Sequence, residues 1–231
     1  MEGYSNEGKP LITGRYYADA RARQRAEQQQ RAYLFVKRCL DILGAAAGIF
    51  FCSPIFLIIA IVIKWEDPKG AVLFKQIRVG KDGKPFYMYK FRSMISGSEE
   101  LLKQLLEQNE IHGAMFKMKD DPRITRTGKF IRRTSLDELP QLWNVLRNDM
   151  SLVGPRPPLP REVEQYSAYD KQRLTVTPGC TGLWQVSGRN GLSFEQMVEL
   201  DLTYIKDRSL WLDLKLILKT VWIIFFPKNS Y

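Results

Sequence analysis

The 231 residues carry 35 lysines and arginines against 25 aspartates and glutamates, a formal net charge of +10, and 45% of them are hydrophobic. This length suits one globular domain with a membrane element and a tail, and the charge calls for anionic partners: nucleic acid, anionic lipid or phosphorylated small molecules. Three scattered cysteines (Cys39, Cys52, Cys180) and a single histidine, His112, offer no disulfide framework or zinc-site spacing and argue against a His-based triad.

Residues 1–14 are polar and aperiodic and read as a disordered tail. Ala, Arg and Gln across residues 18–35 favour a helix that runs into the next segment. Residues 42–63 carry no charge. At a helical rise of ~1.5 Å per residue this stretch is ~33 Å long, enough to cross a bilayer core. Ser53-Pro54 sits at its centre. Pro54 has no N–H and clashes with the carbonyl of Phe50, so the helix should break or kink there. The Ser53 hydroxyl can turn back onto the preceding turn and satisfy a freed carbonyl.

Both flanks are basic, with Arg15, Arg21, Arg23, Arg25, Arg31, Lys37 and Arg38 before the segment and Lys64, Lys69, Lys75 and Arg78 after it. A straight crossing would place one basic flank outside, whereas a bend returns the chain to the face it entered. Residues 37–65 therefore read as a re-entrant helical hairpin broken at Ser53 and Pro54, with Lys37 and Arg38 placed for lipid phosphates. A kinked transmembrane helix and a buried core helix are the competing readings. A secretory signal fits poorly, because the apolar run starts late and is long.

Beyond Trp65 the pattern becomes strand-like over residues 72–79 and 86–91, and Gly80-Lys81-Asp82-Gly83 between them predicts a β-hairpin. Residues 98–110 predict a helix with Leu101, Leu102, Leu105 and Leu106 on one packing stripe. Residues 210–226 are apolar and aromatic but interrupted by Asp213, Lys215 and Lys219, too charged for a good span. They suit either the membrane interface, through Trp211, Trp222, Phe225 and Phe226, or burial in the soluble core.

The chemistry-bearing residues lie between Lys90 and Asn190. Arg123, Arg126, Lys129, Arg132 and Arg133 come just before the acidic pair Asp137-Glu138. No Rossmann glycine pattern or Walker loop occurs, which leaves arginine-led phosphate capture. Ser135-x-x-Glu138 matches a capping box that would put both acids in the positive first turn of a helix. Two readings follow. The acids cap the helix, or the helix terminus and arginines lower a carboxylate pKa so that an ionised Asp attacks phosphorus while Glu holds magnesium on a diphosphate. Pro140 predicts that this helix is short or distorted. Arg156 in Gly154-Pro155-Arg156-Pro157 and Arg189 in Gly188-Arg189-Asn190 sit on tight turns, where their forks suit phosphate oxygens.

The Ser53-Pro54 segment, Lys90-Phe91-Arg92-Ser93-Met94, Asp121-Pro122-Arg123, Ser135-Leu136-Asp137-Glu138-Leu139-Pro140-Gln141, Gly154-Pro155-Arg156-Pro157 and Gly188-Arg189-Asn190, in this order, resemble the bacterial sugar transferases, the monotopic phosphoglycosyl transferases. The likeness covers residue 37 to the C-terminus and implies a helix-rich α+β protein. In it a tail and helix (1–36) and a re-entrant membrane helix (37–65) precede a cytoplasmic catalytic domain (66–231) with a short β-hairpin and interfacial amphipathic helices.

The resemblance also implies the reaction. A sugar-1-phosphate passes from a UDP-sugar to undecaprenyl phosphate with release of UMP, on the cytoplasmic face of the bacterial inner membrane, as the first membrane step of exopolysaccharide or capsule synthesis. Asp137 would take up the phosphosugar covalently and Glu138 would bind Mg2+. Lys90, Arg132, Arg156 and Arg189 would contact phosphates. The insertion at residues 99–119 is more like relatives that transfer hexose phosphates such as galactose or glucose than like the smallest members, with an N-acetylhexosamine as the other choice. The chain reads as a compact form without the extra transmembrane helices of larger relatives, bound to anionic lipid and not to nucleic acid, and compatible with a homo-oligomer. A non-enzymatic basic membrane scaffold is the alternative, and a membrane-tethered nucleic-acid binder would explain the charge but not the acidic pair.

Overall fold

The structure is a computed structural model that describes residues 9–105, 118, 121–188 and 191–226, and it divides into two units, Met1–Leu40 and Asp41–Tyr231. Helix α1, Lys9–Glu66, contributes to both. In the first unit Lys37 and Arg38 lie on this helix, partly covered.

Within the second unit α1 is exposed around its middle, with Phe50 and Phe51 at 73% and 77% exposure. The predicted break does not form: α1 is helical through Pro54. The Ser53 hydroxyl donates to the Phe50 carbonyl at 2.8 Å, the back-bond expected from sequence. Residues before and after Pro54 both pack on the same globular body. Asp41 accepts hydrogen bonds from the Ser151 hydroxyl and the Leu152 N–H, and Ala45 joins a core with Met88, Val145 and Met150. Ile59 and Ile63 join a second core with Phe91 and Ile131.

Strands β1, Leu73–Val79, and β2, Pro85–Phe91, form the predicted hairpin, in antiparallel register from Leu73 opposite Phe91 to Val79 opposite Pro85. Of the helix expected at 98–110, α2 covers Ser98–Leu105, and the remainder lies outside the described residues with His112. Helix α3, Arg126–Arg133, starts under the Thr125 cap, whose hydroxyl accepts from the Gly128 N–H. The Glu66 carboxylate, at the end of α1, accepts the N–H groups of Arg126 and Thr127 and so fixes α3 to the exit of the apolar helix. Gly128 is required here because a Cβ would lie 2.0 Å from the Ser93 carbonyl oxygen.

A single 3-10 turn, Leu136–Glu138, leads into α4, Gln141–Leu146, so Pro140 does mark a short, distorted helical stretch. The fully buried Asn144 of α4 accepts from Tyr89 N–H and donates to the Tyr87 carbonyl, pinning α4 to β2. Strands β3, Ser151–Val153, and β4, Gly179–Thr181, pair in parallel. Helix α5, Pro160–Glu164, lies between them in sequence, and α6, Leu183–Ser187, α7, Phe194–Asp207, and α8, Leu210–Phe225, complete the domain.

Helix α8 supports the core reading of its sequence on one face and leaves the other face exposed. One face is buried, with Asp213 accepting from the Tyr204 hydroxyl at 2.7 Å and Leu216 in the core, and the other exposes Trp211, Leu218 and Trp222. Cys39, Cys52 and Cys180 are free thiols. The helix-rich α+β class expected from sequence is what forms.

Candidate active site

Asp137 and Glu138 sit in the 3-10 turn between α3 and α4. The turn is entered through Ser135, whose backbone is left-handed at φ 57, ψ 17 and whose side chain makes no capping bond. The capping box read from Ser135-x-x-Glu138 is therefore not formed. The left-handed residue turns the chain away from the α3 axis at a cost of ~1–2 kcal/mol for a non-glycine residue. Asp137 is thereby buried against β2 while Glu138 stays at the rim, its side chain 45% exposed.

Lys90 of β2 joins the two acids. Its Nζ lies 2.6 Å from Glu138 Oε1 and 4.0 Å from Asp137 Oδ2. Burial is the largest influence on Asp137 and raises its pKa from 3.8 to about 6; the Glu138 charge adds to the rise, while Lys90 and Arg132 oppose it. The expectation that a helix terminus and arginines depress this carboxylate is thus overturned, because desolvation outweighs the cations. For Glu138, desolvation by the surrounding chain also pushes upward. There Lys90 wins, with help from Arg156 and Arg78, and the net direction is down. The pair is split into a carboxyl that titrates near neutrality and a partner that stays ionised.

Arg132, near the end of α3, donates from Nε to the Ser93 hydroxyl at 2.9 Å, and its charge bears on Asp137, Asp121 and Glu138. Arg123 and Asp121 form a buried bidentate pair, with Nε–Oδ1 at 2.8 Å and Nη2–Oδ2 at 2.5 Å. The Asp-Pro-Arg motif is in this way a brace for the loop before α3.

Arg156 projects from the segment after β3 with its Nη1 3.8 Å from Glu162 Oε2, and Glu162 is itself buried and accepts the Leu159 N–H. Gly154 approaches the backbone before β4 so closely that a Cβ would lie 2.6 Å from the Thr177 carbonyl oxygen.

Lys90, Arg132 and Arg156 of the expected phosphate-binding set thus converge electrostatically on the acidic pair, while Arg189 and Asn190 lie outside the described residues. Sequence reasoning missed Arg78, which it treated only as flanking charge. It lies buried on β1, where burial first and the nearby Arg156 second lower its pKa to about 9. Its alternation with Phe74 and Gln76 on one strand face was the available signal.

Among the described residues no group of three His, Cys, Asp or Glu gathers to hold a metal by itself. Magnesium commonly takes only one or two carboxylates and completes its octahedron with water and substrate phosphates. Glu138, at the rim with its side chain 45% exposed, is one carboxylate of the kind that ion takes when a diphosphate supplies further oxygens.

The sequence model of the family described as bacterial sugar transferase matches residues 32–227. The galactosyl transferase CpsE of Streptococcus agalactiae serotype III (strain NEM316) is 48% identical over 200 residues, which are 86% of this chain and 44% of that protein. The undecaprenyl-phosphate galactose phosphotransferase of Salmonella typhimurium is 44% identical over 206 residues, 87% of this chain and 43% of that protein. The exopolysaccharide production protein ExoY of Rhizobium meliloti is 39% identical over 199 residues, 84% of this chain and 88% of that protein. The chain spans less than half the length of the first two relatives and most of the length of the third.

Proposed function

The chain belongs to the bacterial sugar transferase family, and from that premise we propose that it transfers a sugar-1-phosphate from a UDP-sugar to undecaprenyl phosphate, releasing UMP. The observation that carries this reading is the buried Asp137 held 4.0 Å from Lys90 beside an ionised Glu138. In the first displacement an Asp137 carboxylate oxygen attacks the sugar-bearing phosphorus of the donor. The bond to the bridging oxygen breaks and UMP leaves with the electron pair. In the second, an oxygen of undecaprenyl phosphate attacks the same phosphorus, displaces Asp137 and yields a lipid-linked diphosphate sugar.

Lys90 opposes the rise of the Asp137 pKa and so increases its attacking, ionised fraction at neutral pH. Arg132, Arg156 and Arg189 would hold phosphate oxygens through charge-assisted hydrogen bonds. Magnesium held by Glu138 and the diphosphate oxygens would supply neutralisation of phosphate charge. Galactose is the sugar that the relatives' names favour. A panel of UDP-hexoses and UDP-N-acetylhexosamines, read by UMP release, decides among them.

The membrane part of the proposal is a monotopic attachment on the cytoplasmic face of the inner membrane through a re-entrant bend at Ser53-Pro54. Met88 and Phe91 stand three residues apart on β2, ~10 Å, and belong to the cores that Ala45 and Ile59 join. Residues on both sides of Pro54 thus join cores of the same domain, which supports entry and exit on one side of the membrane. The exposed apolar middle of α1 and the Trp211–Trp222 face of α8 would meet lipid, with Lys37 and Arg38 at headgroup phosphates. An active site at that height serves both a water-soluble donor and a lipid acceptor.

Incubation with the active UDP-sugar and Mg2+ but no polyprenol phosphate should release UMP and leave a hydroxylamine-labile adduct of one sugar phosphate. Lipid-dependent turnover with no adduct and no early UMP would replace the covalent step by direct attack. Cysteines placed near Arg31 and Lys69 should react from the same side of the membrane; labelling from opposite sides would replace the re-entrant bend by a span.

A further inference from the structure

Arg78 is a buried cation whose hydrogen bonds go to neutral acceptors. Its Nη1 donates to the Pro157 carbonyl at 3.0 Å, and Nε and Nη2 donate to Gln76 Oε1 at 3.1 and 2.7 Å. Burying a guanidinium on carbonyl partners next to a second guanidinium, Arg156, is costly. The segment that bears Arg156 shows what this organises. The Val79 N–H donates to the Pro158 carbonyl at 2.9 Å, one residue on from the Arg78 contact. On the opposite side Gly154 N–H donates to the Thr181 carbonyl and Gly179 N–H to the Pro155 carbonyl, each at 2.8 Å. Residues 154–158 are clamped between β1 and β4, with Arg156 projecting from the middle.

The same hairpin carries Lys90. Phe74 lies opposite Lys90 and Phe86 opposite Arg78 in the register, so Lys90 and Arg78 share one sheet face four residues apart along the ladder. One rigid element therefore bonds the acidic pair through Lys90 and the Arg156 segment through Arg78. The Arg78 charge is felt at Glu138, as is that of Arg156.

We propose that Arg78 is a positioning residue: it struts the Gly154–Pro158 segment against the hairpin and so fixes Arg156, the residue read above as a ligand for a phosphate of the donor. The inference rests on the transferase reading above and adds to it how the hairpin sets the spacing between the nucleophile and a phosphate-binding arginine.

The test is a double-mutant cycle on the full chain in membranes, with UMP release followed against the UDP-sugar found active in the panel. Arg78→Met should lower kcat/KM for the donor by about 10- to 100-fold, mainly through KM, and Arg156→Ala by at least as much. Because Arg78 acts through Arg156, the double variant should be no worse than Arg156→Ala alone. Arg78→Lys keeps the charge and one donor and should give a smaller loss that also vanishes in the Arg156→Ala background. Should Arg78→Met not fold, the cycle is run with Arg78→Lys. Losses that multiply in the double variant, or an Arg78 variant with unchanged donor KM while Arg156→Ala is impaired, would overturn the strut. A wild-type chain that releases no UMP from any donor would take down the transferase reading and the strut with it.

Discussion

Two buried aspartates of this domain have the same titration shift and opposite surroundings. Asp137 and Asp201 are each raised by burial from 3.8 to about 6. Asp201, on α7, is sealed in the core against the Arg173 guanidinium, whose Nη1 also donates to the Tyr166 hydroxyl. Asp137 faces Lys90 at 4.0 Å, a cation already engaged at 2.6 Å by Glu138. Neutralising Asp201 would strand the Arg173 charge in the core, whereas neutralising Asp137 leaves Lys90 paired. A raised pKa alone does not identify a nucleophile, and what separates these two residues is whether the neighbouring cation has a second carboxylate: Lys90 has Glu138, whereas the other partner of Arg173 is the neutral Tyr166 hydroxyl.

Exchange of each acid for its amide should separate the two roles, and this is the largest contrast expected. Asp137→Asn should lower UMP release by ~10³-fold or more while the fold survives. Asp201→Asn breaks a buried pair and should cost ~3–5 kcal/mol of stability, with the remaining folded protein still turning over. Thermal unfolding and specific activity measured on both variants check this; a stable, inactive Asp201→Asn protein would erase the distinction.

The pH profile sharpens it. A carboxyl raised in the folded state contributes stability below about pH 4 that is lost as pH rises through about 6. Asp137→Asn should therefore be more stable than wild type at pH 8 and gain little at pH 4. Activity that needs ionised Asp137 should fall as pH drops below about 6. Lys90→Met removes the main opposing cation and should move that acidic limb to higher pH, with about 10²-fold lower turnover. Glu138→Gln removes a like charge, moves the limb to lower pH and weakens magnesium dependence. Limbs that move together in both variants would remove Asp137 as the titrating group. The smallest effect belongs to Ser135→Gly, which relieves the left-handed residue and should stabilise by at most ~1 kcal/mol, a few degrees in Tm.

Much of the site could be read along the chain because its parts are local. The charge-free run at 42–63, the hairpin around Gly80-Lys81-Asp82-Gly83 and the Asp137-Glu138 pair are set by turn chemistry, periodicity and residue type within short windows. The back-bond of Ser53 and the short helical stretch beside Pro140 follow from the same short-range rules.

Other features depend on what packs against what. On β1 the residue types Leu73, Ile77 and Val79 would favour burying the odd-numbered face, yet Leu73 and Ile77 are exposed and the even-numbered Arg78 is buried, because residues 154–158 dock there. The capping box at Ser135 and Glu138 fits the sequence but fails in space, since Glu138 is drawn to Lys90 from a strand 48 residues earlier. The direction of the Asp137 pKa was likewise a tertiary outcome: helix termini and arginines are visible in sequence, but the desolvation that outweighs them comes from burial against β2. Composition and local pattern determined which charged groups the chain carries and where along it they cluster. Only long-range packing decided which carboxyl is buried, which cation stays paired and which arginine becomes a strut.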